Sequence, residues 1–204
     1  MALELLKELD PQNTSYRHKN NVVKRKSGET AAECHADCSG LVNWLLLESA
    51  GEQPSALERW FKSKRPVARH YHDAIVAEKH FKRIGRIQDC LPGDIVAMKY
   101  PKGNDNTGHV MVLVEKPTKR EAAPPLVDGS EQWQAKILDS TTSPHGSDSR
   151  RDKDNKSRGG LGMGAFRFYA TKDGDLVGYT WGPGPRSEYR SVKERPIVIG
   201  RFHH

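Results

Sequence analysis

The chain carries, in order, a cysteine, a histidine and a carboxylate, each placed where it could take part in nucleophilic chemistry: Cys38, His109 and Asp139. Cys38 stands in Asp37-Cys38-Ser39-Gly40, directly before the apolar run Leu41 to Leu47. Asp37 is a good N-cap, so Cys38 falls in the first turn of a helix. Unpaired backbone N–H groups and the positive end of the helix dipole converge on that turn. Both favour the thiolate, which is the attacking form of cysteine. His109 opens the apolar run Val110 to Val114, and Asp139 closes Ile137-Leu138-Asp139. A histidine can take the thiol proton, and a third polar residue fixes the imidazole tautomer. The three are far apart in sequence and have to meet in space.

Asp37-Cys38-Ser39-Gly40-Leu41-Val42, Leu91-Pro92-Gly93-Asp94-Ile95 and Gly108-His109-Val110 resemble the motifs of the NlpC family of papain-like cysteine peptidases and amidases. A weaker match is Thr14-Ser15-Tyr16-Arg17, and the likeness covers roughly residues 14 to 140. The resemblance implies an α+β, papain-like fold, with the nucleophile at the N-terminus of a buried helix packed on an antiparallel sheet. It implies a catalytic triad of Cys38, His109 and Asp139, with Tyr16 near the oxyanion or substrate, and no cofactor or metal. The expected substrate is a peptide or amide, as in bacterial cell wall. The chain departs from the family where Tyr16-Arg17 runs on into His18-Lys19-Asn20 rather than Trp-Gly-Gly. The third position, often histidine, is matched by Asp139, with His145 a few residues on as its competitor.

Several elements must position these residues. Residues 2–9 read as a short amphipathic helix ended by Pro11, and residues 12–36 as polar and irregular. The nucleophile helix runs from about Cys38 to Ser49, with Gly51 as its C-cap. It is apolar on nearly every face, the mark of a buried helix. Residues 55–62 and 67–81 read as two further helices around Pro66. Their aromatic and histidine residues read as packing and surface groups, with a groove role for His70-Tyr71-His72 as the alternative. After Pro92 the pattern turns to strands: 94–99, 109–115, 135–139, 164–170, 175–181 and 196–202. Asp173-Gly174 is a hairpin signal. Lys116 to Ser130, with three prolines, reads as a loop, and Ser143 to Gly160 as a long mobile one.

The 204 residues suit a single domain, residues 1–204, with enough chain for a real core. No apolar run approaches the length of a membrane span. Met1 to Lys7 is too short and too acidic for a signal peptide. That leaves the cytoplasm, or export after removal of a leader. Three cysteines, an odd number, argue against a disulfide framework, and Cys34 and Cys90 read as structural thiols. Cys34-His35-Ala36-Asp37-Cys38 gathers metal-binding types, but Cys90 supplies no second pair of ligands for a zinc site. The net charge of +7 comes from scattered basic residues, a pattern of solvation rather than of specific nucleic-acid binding. Two alternatives stay open. An acyltransferase would use the same three residues, and a non-catalytic module could hold an anionic polymer on the basic surface. Tyr16 is equally readable as a packing residue, and His203-His204 carries no functional weight.

Overall fold

After Pro92 the runs 95–98, 110–114 and 197–199 are apolar at every position, which is what strands covered on both faces require. The computed structural model describes residues 1–101, 103 and 106–203, so His204 lies outside the described residues. Four helices are described: α1 (Ala2–Glu8), α2 (Cys38–Ala50), α3 (Ser55–Phe61) and α4 (Ala68–Val76). The strands are β1 (Leu9–Ser15), β2 (Val22–Lys24), β3 (Ala32–His35), β4 (Phe81–Ile84), β5 (Ile95–Lys99), β6 (Gly108–Leu113), β7 (Thr118–Lys119), β8 (Glu131–Thr141), β9 (Gly160–Ala170), β10 (Leu176–Thr180), β11 (Tyr189–Ser191) and β12 (Ile197–Phe202). Nine form one sheet in the order β11-β10-β9-β8-β6-β5-β12-β4, with β7 added on β8. Every pairing in it is antiparallel. The fold is therefore α+β with a large antiparallel sheet.

Side chains alternate across a strand, and here the alternation feeds two cores. Ile95, Ala97, Val110, Val112 and Val198 pack with the helices. Val96, Met98, Met111, Leu113, Ile197 and Ile199 join Phe166, Phe168 and Tyr179 on the opposite face. On the first side α2 buries Leu41, Val42, Leu45 and Leu46. Each such side chain contributes about 1.5–3 kcal/mol relative to exposure. α2 stops at Gly51, in the left-handed conformation with φ 63°, and Glu52 N–H donates back to Leu47 O at 2.9 Å.

Three expectations need correction. Residues 12–36 are not irregular: β1 pairs parallel with β3, and β2 antiparallel with it. Their polar sequence hid them, because this small sheet is half-exposed and its strands are short. The helix expected over 67–81 ends at Val76, and the chain re-enters the large sheet as β4 beside β12. The segment 143–160 is anchored rather than mobile, since His145, Asp148 and Arg150 are buried. Within α4, Tyr71 is fully buried and donates to Asn43 Oδ1 at 2.5 Å, so it is part of the core and not of a groove.

Candidate functional site

β1 and β3 leave their small sheet side by side. Ser15 pairs with His35, and Ala36 N–H donates to Ser15 O at 3.1 Å. The next residue along one strand is Tyr16, and two beyond Ala36 on the other is Cys38. Thr14 Oγ1 donates to Cys34 O and accepts from Leu161 N–H at 2.8 Å, which fastens β1 to β9. Ser140 Oγ donates to Ala36 O at 2.6 Å, which fastens the start of α2 to β8 one residue beyond Asp139. The parallel pair that the sequence hid is thus what sets Tyr16 beside the nucleophile helix.

Asp37 caps α2 as expected, its Oδ1 accepting from Gly40 N–H at 2.7 Å. Its other oxygen accepts from Arg65 at 2.7 Å and from His18 Nδ1 at 3.1 Å. Cys38 follows as the first helical residue and is 6% exposed.

Gly108 starts β6 at φ 142°, and a Cβ there would sit 1.9 Å from Met98 O. Only glycine lets the strand begin so close to β5, and His109 is the next residue. Register then does the rest. Val112 faces Leu138 and Leu113 faces Ile137, which puts His109 and Asp139 on one face as diagonal neighbours. His109 Nε2 donates to Asp139 Oδ2 at 2.6 Å. The Cys38 sulfur lies close enough to the same ring to act on its charge.

Burial disfavours charge on His109, but the Cys38 sulfur and the Asp139 carboxylate outweigh it and raise its pKa to about 10. Burial likewise opposes charge on Asp139, yet His145, His109 and Arg150 hold its pKa well below the carboxylate range. The Tyr16 phenol is raised, first by burial and then by negative charge at Cys38, so it remains a hydrogen-bond donor. Burial pushes the thiols of Cys34 and Cys90 up to about 12 each.

The structure brings Cys38, His109, Asp139 and Tyr16 to one place, and it adds residues that the sequence reading had set aside. His145, expected in a mobile loop, is buried: Nε2 donates to Asp139 Oδ2 at 3.0 Å and Nδ1 to Trp181 O at 2.8 Å. Arg150 donates to Asp139 Oδ1 at 2.8 Å and forks onto Asp148. Trp181 stacks on His145 with ring centres 4.2 Å apart and meets His109 edge-on at 4.9 Å. A sequence signal for Trp181 did exist: a tryptophan ending a strand directly before Gly182-Pro183-Gly184-Pro185.

His109, Asp139 and His145 also offer three metal-ligand atoms within 4.8 Å of one another. Those atoms are already hydrogen-bonded together, and Arg150 occupies the remaining carboxylate oxygen. A cation there would have to break the His109–Asp139 bond and sit beside a guanidinium. The Cys34-His35-Asp37-Cys38 stretch is not gathered into a ligand cluster among the described residues.

No family model matches the chain, and no solved structure matches it. The chain is similar to the uncharacterized protein R653 of Acanthamoeba polyphaga mimivirus, with 33% identity over 211 residues. The match takes in 97% of this chain and 92% of the viral protein. At that identity and coverage, the chain belongs to the family of this mimivirus protein.

Proposed function

We propose that the chain is a divergent NlpC-type, papain-like cysteine hydrolase that cleaves an amide or peptide bond. One observation carries this reading: a His109 ring bonded through Nε2 to a buried carboxylate and raised in pKa by the nearby sulfur of Cys38, the cysteine at the start of a buried helix. The Cys38 thiolate attacks the substrate carbonyl carbon, and the C=O pair moves onto oxygen. The oxyanion is received by the Cys38 backbone N–H and the Tyr16 hydroxyl. His109 imidazolium gives its proton to the leaving nitrogen, the C–N bond breaks, and a thioester remains. Water then adds to the thioester while His109 takes the water proton. The C–S bond breaks, the acid leaves, and the thiolate and imidazolium are restored. Asp139 stays ionised throughout and holds the ring. Acyl transfer would follow the same path with an amine in place of water, and a cell-wall peptide is one substrate within the amide class.

The test is thiol labelling joined to turnover. Limiting iodoacetamide at about pH 6 should alkylate Cys38 before Cys34 and Cys90, both buried with raised pKa values. Cys38→Ala should then abolish turnover on any amide that a substrate screen returns. Equal labelling of all three thiols, or turnover retained in Cys38→Ala, would overturn the proposal.

A further inference from the structure

Two cavities meet at Tyr16 and Asn106. The smaller, about 190 Å³, reaches Cys38, and the larger, about 380 Å³, reaches His109. The lining of the larger cavity includes Tyr100, Tyr179, Arg190 and Arg195, together with the Glu188 carboxylate. Tyr179 and Arg190 sit directly opposite each other on β10 and β11. Arg195, in the connection to β12, lays its guanidinium over the Tyr100 ring, 4.9 Å from its centre.

Two features of this wall point to a ligand. Tyr179 is 2% exposed, yet its hydroxyl has no hydrogen-bond partner among the described residues, although Arg195 lies near it. A buried polar group left unsatisfied costs free energy unless something arrives to pair with it. The second feature is charge. Arg190 is ion-paired with Glu188, whereas Arg195 has no ion pair to a carboxylate among the described residues. The phenols of Tyr100 and Tyr179 are both raised by burial, so they too present donors rather than anions. A guanidinium and a phenolic O–H facing one cavity call for a group that only accepts.

We propose that the larger cavity binds an anionic group, a carboxylate or a phosphate, carried by the leaving-amine portion of the substrate. The side follows from proton transfer. His109 must come within hydrogen-bond reach of the leaving nitrogen, so whatever lies beyond that nitrogen extends over His109 and into this cavity. The assignment of the side rests on the hydrolase reading; the anion site itself does not. The substrate class becomes an amide whose released amine bears a negative charge close by, and the Arg195 fork matches such an oxyanion.

The experiment has two arms. In the first, Cys38 of the intact chain is alkylated with iodoacetate and, separately, with iodoacetamide. Arg195→Gln should lower the iodoacetate-to-iodoacetamide rate ratio by about fivefold or more, and Arg195→Lys, which keeps the charge, should recover part of it. An unchanged ratio in Arg195→Gln would overturn the proposal. The second arm needs no reactive thiol. The wild-type chain and Arg195→Gln are titrated with N-acetylglycine, and separately with inorganic phosphate, read by tryptophan fluorescence. Saturation by one probe in the wild type, weakened by the substitution, identifies the anion as carboxylate or phosphate. Saturation by neither overturns the proposal. If an anion binds while Cys38 fails to alkylate, the hydrolase reading falls and the anion site stands.

Discussion

Asp139 accepts from three side chains, His109, His145 and Arg150, and no part of it reaches solvent. A buried carboxylate with that many donors is ionised and fixed, which is what a residue orienting an imidazole must be. Asp139→Asn should lower turnover by up to about four orders of magnitude. It should also move the alkaline limit of activity downward, since His109 loses one of the groups that raise it. The signs follow from the two shifts. His109, raised from 6.5 to about 10, stabilises the fold fully below 6.5, and that contribution is lost as pH rises through about 10. Asp139, lowered from 3.8, contributes fully above 3.8 and loses its contribution as pH falls further. His145→Ala should reduce turnover far less while costing about 2–4 kcal/mol of stability, because it empties a buried site and strips a donor from Asp139. Turnover against pH and denaturant midpoints for both variants check this. Near-normal activity in Asp139→Asn beside an inactive, folded His145→Ala would reverse the roles of the two residues.

At the scale of elements, Arg167 on β9 is the residue that ties loops to the sheet. It is fully buried and has no carboxylate ion pair among the described residues. Instead it donates to Thr180 Oγ1, Gln132 Oε1 and the carbonyls of Ala123, Pro124 and Gly184 at 2.8 to 3.1 Å. These contacts join the loop before β8 to the turn after β10, the turn that starts at Trp181. Lysine keeps the charge but cannot reach several carbonyls at once. Arg167→Lys should therefore cost about 2–4 kcal/mol and speed amide hydrogen exchange in both loops. Exchange confined to its wild-type rate in residues 120–125 would show that the loops hold without the fork.

For the whole molecule, the net charge is +7, and part of the basic complement is turned inward. Arg150 and Arg167 are buried, while Arg190 and Arg195 face the cavity beside His109. Binding to duplex DNA should be weak, non-specific and steeply lost with added salt, since each phosphate contact releases counterions. Tight, sequence-selective binding at physiological salt, measured by fluorescence anisotropy, would overturn the enzyme reading. Among the described residues no helix is long and apolar enough to cross a membrane.

Much of the fold was legible in sequence because local rules and global packing agree there. Asp37 ahead of an apolar run marked the start of α2, Gly51 marked its end, and continuous apolar runs marked β5, β6, β9 and β12. Cys38 and His109 could be nominated because each sits at the start of such an element, and Asp139 because it closes the short apolar run Ile137-Leu138 within β8. Residue order could not choose between Asp139 and His145 beside the imidazole. The pairing of β6 with β8 sets Asp139 diagonal to His109, a placement that register decides and residue order does not. The burial of His145, the stacking of Trp181 and the turning of Arg195 into the cavity depend on contacts between segments tens of residues apart. No local pattern encodes those contacts, so polar stretches that read as solvated loops became the walls of the site only in the folded chain.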